Sequence, residues 1–255
     1  MSKIKGVSSS KFCRYSKALK ANPTHAEAEV IHNNRALSFL KLGKYDAALE
    51  DVAFVPDIKA RSEKALYRGA LALYNLRRFK DSLRHLRTLL SNFPDNPLAR
   101  QEMARVKLRI EEQEMGKYNF TEMYIYAKLR PPHIDCATFI GPVEVRPVEG
   151  KGRGLFTINT IRCGDLVACE KAFSYGCAEP PAPEDGAPPC NTEFGVLVNL
   201  TTNRVKLGTD AAHIPNVYQK LVNNPSLARS FLDLCHGSYE STPTTKVDGM
   251  PVVDR

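Results

Sequence analysis

The sequence predicts an α+β chain, an N-terminal α-helical solenoid followed by a small β portion with a helical insert. Three observations predict it. Two segments of the first half align without gaps at a period of 34 residues. Three short apolar stretches divided by glycine turns follow between positions 141 and 173. Two later apolar stretches, 214–221 and 227–234, carry helical spacing beyond a proline-rich break.

The repeat accounts for the first half. Ala36, Phe39, Gly43, Tyr45, Ala48 and Leu49 match Ala70, Leu73, Arg77, Phe79, Ser82 and Leu83. Small residues recur where two helices must approach closely, and an aromatic recurs at the turn between them. The second copy continues through Leu86 and Leu89 to Pro94. Upstream, Tyr15, Ala18, Leu19 and Pro23 fit the second helix of a preceding repeat. The polar, serine-rich run 1–10 is too poor in apolar residues to supply that repeat's first helix, so a frayed N-terminus is expected. Asp95-Asn96-Pro97 breaks the pattern, and 98–115 then reads as an amphipathic helix with Met103, Val106, Leu108 and Ile110 among its apolar positions. Such a helix covers the exposed apolar face of a terminal repeat.

Residues 118–140 read as a connector, stiffest at Arg130-Pro131-Pro132-His133. Val143 and Val145 alternate with Glu144 and Arg146, as in a half-buried strand. Gly150 to Gly154 reads as a turn, 155–158 as a second strand, 161–165 as a turn and 166–173 as a third strand. Residues 176–192 hold five prolines and read as a surface loop. An apolar run at 194–200 opens a helical insert region spanning 193–255. His236 beside Cys235 reads as packed or solvated rather than as a ligand.

With 43% hydrophobic and 25% charged residues, the 255-residue chain can bury a core. No apolar run approaches the ~20 residues needed to cross a bilayer. The start lacks the apolar core of a secretory signal. A cytoplasmic or nuclear protein is therefore expected. The seven cysteines have no regular spacing, and no Cys-x-x-Cys pair occurs, so neither a disulfide framework nor a structural zinc site is expected. Charge is unevenly placed: residues 1–117 carry 23 Lys+Arg against 13 Asp+Glu, and residues 118–255 carry 13 against 15. The positive field of the first half points to an acidic partner there. No basic run interleaved with stacking aromatics points to nucleic acid.

The 34-residue period and its small and aromatic positions resemble the tetratricopeptide (TPR) repeat. Residues 1–117 then divide into a half repeat, two repeats and a capping helix. Asn34, Lys64 and Arg68 fall on the first helices of the two full repeats, and Lys64 and Arg68 are i,i+4 neighbours. Their spacing resembles that of co-chaperone TPR domains that clamp the C-terminal carboxylates of heat-shock chaperones. The resemblance implies a groove that holds an acidic protein tail. Each charge-assisted bond to a carboxylate there contributes ~1.5–3 kcal/mol.

The run Lys151-Gly152-Arg153-Gly154-Leu155-Phe156, set between Gly141-Pro142 and Gly164-Asp165…Glu170-Lys171-Ala172-Phe173, resembles the opening of a SET domain. Together with the repeats it resembles the fungal TPR–SET proteins that lack a MYND finger, within the SET family of protein-lysine methyltransferases. The resemblance implies a partial SET domain over 141–255: a first β portion (141–175), the proline-rich loop and the insert region. It implies S-adenosylmethionine as cofactor and a protein lysine as substrate of the complete family member. Lys151, Gly152, Arg153, Gly154 and Leu155 are the implied cofactor-side residues.

Methyl transfer to lysine needs a neutral amine held in line with the sulfonium methyl. In SET proteins an Asn-His-Ser-Cys segment and a Gly-Glu-Glu-Leu…Tyr segment complete that site. Neither string occurs in this sequence. A fragment or truncated form, inactive alone and with no catalytic residue of its own, is the resulting expectation. A TPR adaptor for acidic peptides is the alternative.

Overall fold

The structure is a computed structural model and describes residues 12–128, 134–175, 196–199, 204–234, 246–247 and 250–251. The expectations for the N-terminal ten residues, for Arg130 to His133, for the proline-rich loop and for His236 fall outside these residues.

Residues 12–19 form α1. Two antiparallel helix pairs follow: α2 (His25–Lys41) with α3 (Tyr45–Val52), and α4 (Glu63–Asn75) with α5 (Phe79–Asn92). α6 (Pro97–Met115) lies against α5 and ends the stack. Thr24 caps α2 with a reciprocal capping box to Glu27, and Asn96 caps α6 by accepting from Ala99 N–H.

The period is structural as well as sequential. Both first helices end in the same Schellman motif. Gly43 and Arg77 stand left-handed at φ +72° and +62°. The Lys44 and Arg78 N–H groups donate back to Phe39 and Leu73, and those of Gly43 and Arg77 to Leu40 and Tyr74. Ala36 and Ala48 of the first pair, and Ala70 and Ser82 of the second, are all buried where the helices cross. Ser82 Oγ donates to the Ala70 carbonyl at 2.8 Å, which satisfies its hydroxyl in the core.

Leu66, Leu86, Leu89, Ala99 and Val106 join α4, α5 and α6 in one core. Truncating any of these leucines to alanine costs about 2–5 kcal/mol. Met103 and Ile110 pack on this core, but Leu108 points outward. The expected apolar stripe of α6 is thus narrower by one residue. The two repeats differ at one buried polar position. Asp51 accepts from His32 Nδ1 and twice from Arg35, whereas His85, 34 residues on, sits against Gly69 and Arg61.

The connector holds a helix that its composition hid, α7 (Phe120–Ala127), capped by Asn119 accepting from Glu122 N–H. Residues 134–137 then lie as a strap across the array. Tyr74 Oη and Arg105 Nε donate to Asp135 Oδ2 at 2.7 and 2.8 Å. Buried Glu112 accepts from Ala137 N–H at 2.7 Å.

The β portion consists of antiparallel two-stranded ribbons. β1 (Phe139–Ile140) pairs with β4 (Ala168–Cys169), and β2 (Val143–Val148) with β3 (Gly152–Thr157). Only two residues of the expected third strand, 166–173, are paired. The expected half-buried alternation of β2 also fails: Val143 is buried but Val145 is 62% exposed. The two share a face of the ribbon, which the described residues cover at Val143 but leave open at Val145.

The insert region opens with a ribbon rather than a helix, β5 (Val196–Asn199) against β6 (Arg204–Leu207). α8 (Thr209–Asn223), a 3-10 turn (Pro225–Leu227) and α9 (Ala228–Leu232) follow where helices were expected. β7 (Lys246–Val247) pairs with β8 (Met250–Pro251). The end of α8 locks onto the α2–α3 turn. Buried Asn224 accepts from Tyr45 N–H at 2.7 Å and donates to the Gly43 carbonyl at 2.9 Å. Ser226 donates twice to Asp46, from N–H and Oγ, each at 2.8 Å.

His85 gives the array a pH dependence. Its Nδ1 donates to the Asp81 carbonyl and its Nε2 accepts from Arg61 Nη1, which is the neutral ring. Burial, with the nearby Arg61 and Arg84 charges, holds its pKa below the ordinary histidine value. The unfolded chain therefore takes up this proton first as pH falls. The stability His85 contributes is present above its unfolded pKa near 6.5, and it is lost as pH drops from there towards the folded value. In urea titrations at pH 7.5 and 5.0, His85→Gln is expected to lose less stability on acidification than the wild type.

Candidate functional site

Two sites were expected from the sequence, and the structure places each in a different half. The first is the β2–β3 hairpin. Lys151 N–H donates to the Val148 carbonyl at 3.0 Å and closes a turn centred on Glu149 and Gly150. Gly150 has φ +68°, which the third position of a type II turn requires. The turn is shorter than expected. Gly152, Arg153 and Gly154 already belong to β3, opposite Val148, Pro147 and Arg146. Positive φ at both Gly150 and Gly152 lets the chain reverse within three residues.

The five residues of this site do not play one role. Lys151 is exposed and projects from the turn. Gly152, at φ +81°, has open space where a Cβ would stand, so its backbone can be approached closely. Gly154 is required for packing instead. A Cβ there would lie 2.9 Å from Phe156 Cε2 and 3.1 Å from Val148 Cγ2. Arg153 is turned to Asp233: Nη1 donates to Oδ2 at 3.0 Å and Nη2 to the carbonyl at 2.7 Å. This exposed pair contributes only ~0–1 kcal/mol, but it gives the guanidinium a direction. Leu155, 60% exposed, stands opposite Val145 on an open apolar face.

The second site lies where α2 and α4 cross. Arg68 is half-buried, and its Nη1 donates to the Asn33 carbonyl. That bond brings Arg68 beside Asn34, the neighbour of Asn33 on α2. Lys64 stands one turn earlier on α4, exposed. Burial lowers the Arg68 pKa, yet a guanidinium stays charged at any physiological pH. The structure thus ties Arg68 to α2 at the residue before Asn34, with Lys64 exposed one turn earlier on α4.

Two supporting residues were missed from the sequence. Asn33 braces the crossing twice, through its carbonyl and through Nδ2 donating to Ser62 Oγ at 3.2 Å. Asp233 orients Arg153 from 80 residues away. Neither carries a motif. Only the polarity of Asn33 within a mostly small or apolar helix face hinted at its use.

Among the described residues, no group of His, Cys, Asp and Glu is arranged to hold a metal ion, and no helix is long and apolar enough to cross a membrane.

No protein-family model matches the chain. The chain is 37% identical over 240 residues to a protein of Gibberella zeae named methyltransferase; the match takes in 94% of this chain and 32% of that protein. The chain therefore spans about a third of the length of that relative. It is 31% identical over 100 residues to sperm-associated antigen 1 of Rattus norvegicus and 30% identical over 99 residues to unc-45 homolog B of Mus musculus. Each of these takes in 39% of this chain and 11% of the relative. Homology to a fungal methyltransferase extends through nearly the whole chain, while the other two likenesses cover a stretch about as long as the helical array.

Gly152→Ala forces a side chain into the left-handed region and is expected to cost the hairpin about 1 kcal/mol. Hydrogen exchange at 143–157 should quicken in that variant while protection within α4 and α5 stays unchanged.

Proposed function

We propose that this chain joins a TPR-type protein-binding array to the donor-binding edge of a SET-type protein-lysine methyltransferase. The observation that carries the reading is the 37% identity, over 94% of the chain, to a fungal protein named methyltransferase. The hairpin supports it. The open backbone at Gly152, the cations Lys151 and Arg153 and the exposed Leu155 fit the methionine end of S-adenosylmethionine, which carries an ammonium, a carboxylate and an apolar stem. When bound, that cofactor supplies an electrophilic methyl group.

Within this chain the residues bind and orient rather than catalyse. Gly152 offers its backbone, Lys151 and Arg153 offer charge to a carboxylate, and Gly154 keeps Phe156 seated behind the strand. No described side chain walls off the Val145–Leu155 face from water, and lysine methylation requires a desolvated, neutral amine. The chain by itself is therefore read as donor-binding but inactive. In NMR titrations, S-adenosylmethionine should shift amide signals of 143–157, and Arg153→Ala should weaken the response. Silence at those amides overturns the donor assignment, and radiolabel in any protein substrate overturns the inactivity.

A second role rests on the α2–α4 crossing. Arg68 commits one of its N–H donors to Asn33, and Lys64 stands exposed beside it. With Asn34, these groups suit the terminal carboxylate and acidic side chain of a protein tail, such as that of a heat-shock chaperone. A Glu-Glu-Val-Asp peptide is expected to bind with micromolar affinity, and Lys64→Ala or Arg68→Ala should each weaken it by about tenfold or more. Lys64→Ala serves as the clean variant, because Arg68 also braces α2. Absence of binding at low salt removes this role.

A further inference from the structure

Three cations gather where the strap, the β portion and α8 meet the helical array. Arg77 projects from the left-handed turn between α4 and α5, and its Nη1 donates to the Cys136 carbonyl at 3.3 Å. Lys171 follows β4, and its Nζ donates to the Ile134 carbonyl at 2.7 Å. Lys220 lies on α8; its Nζ donates to the Phe173 carbonyl at 2.6 Å and sits 4.2 Å from the centre of the Phe173 ring. The acceptors are neighbours along two short segments. Ile134 and Cys136 are two residues apart on the strap, and Phe173 is two residues beyond Lys171. Three side chains from distant parts of the chain are thereby tied to one place.

None of the three is ion-paired there, although Asp135 favours the charged forms of Arg77 and Lys171 from a distance. Among the described residues, each cation has backbone carbonyls as its hydrogen-bond partners and no carboxylate in an ion pair. The nearby acids are committed. Asp135 accepts from Tyr74 and Arg105 and lies 3.6 Å from Arg109. Glu112 accepts from Arg109 and from Ala137 N–H. The cations also feel one another. After burial, Arg77 is the leading influence that pushes the Lys171 amine below its ordinary range, and Arg77 and Lys171 together do the same to Lys220. Like charges held together at a partly desolvated junction are costly unless something anionic joins them.

We propose that Arg77, Lys171 and Lys220 form a binding site for a phosphate-bearing small molecule at the junction between the helical array and the β portion. A guanidinium and two ammonium groups, each with donors to spare beyond its carbonyl, suit a multiply charged tetrahedral oxyanion. A single carboxylate would leave two of the three charges uncompensated. The site is separate from the Gly152 hairpin and from the Arg68 crossing, so its fate does not depend on either. Its ligand would also bind all three parts of the junction at once and stiffen their attachment.

The test uses the whole chain with inorganic phosphate. At 10 mM phosphate the melting temperature is expected to rise by about 3 °C over sodium chloride matched for ionic strength. Acetate at the same ionic strength should give no rise. The Lys171→Met/Lys220→Met double variant keeps both aliphatic stems and should lose the rise. Calorimetric titration of phosphate should show binding weakened at least tenfold in the single Lys171→Gln variant, which keeps the fold testable if the double variant does not fold. Equal rises with phosphate, acetate and chloride overturn the site, as does an unchanged phosphate response in the folded single variant.

Discussion

The left-handed turn between the two helices of each pair is the constraint on which the rest of the molecule depends. A Schellman motif turns the N–H groups just past the first helix back onto that helix's last carbonyls, and the chain leaves the helix in a fixed direction. That direction sets the crossing at which Ala36, Ala48, Ala70 and Ser82 are buried. It also presents polar backbone at one edge of the array. Part of the C-terminal half attaches along that edge. Asn224 takes Gly43 and Tyr45 of the first turn, and the strap meets Arg77 of the second.

The two halves are held by different physics. The array is held by apolar burial, with Leu66, Leu86 and Leu89 fully enclosed. The β portion is tied on by hydrogen bonds and ion pairs, and its ribbons show much apolar surface. Val196, Val198, Val205 and Leu207 line one face of β5–β6, and all are exposed. Isolated two-stranded ribbons are marginal in water. These ribbons rely on polar attachments to a stable neighbour, so the array serves as their foundation as well as a binding surface.

What could be read from the sequence follows the same division. The repeat was legible because steric demands recur: small residues at the crossings, and a turn at 43 and again at 77. The helices of the insert region were legible from local spacing. The α7 helix was not, because Asn119 and Glu122 form its cap in a stretch read as a linker, with apolar side chains that stay exposed. The strand beginning at Gly152 was hidden, since a glycine pair reads as a turn whether it lies in one or beside one. Val143 and Val145 share one face of β2, so the burial of one and the exposure of the other depend on what covers each end of that face, and alternation cannot report that. Asn224, Asp233 and Lys220 act across long separations, so nothing in their surroundings marks them.

Arg77 stands where its counterpart in the preceding pair is glycine. An arginine there carries conformational strain of order 1 kcal/mol that glycine would relieve. Any redesign guided only by backbone comfort would choose glycine at 77 and gain a steadier turn. It would also remove the guanidinium that reaches Cys136 from the array. The least comfortable residue of the turn is one of those through which the array grips the strap, and thermal robustness and attachment pull this position in opposite directions.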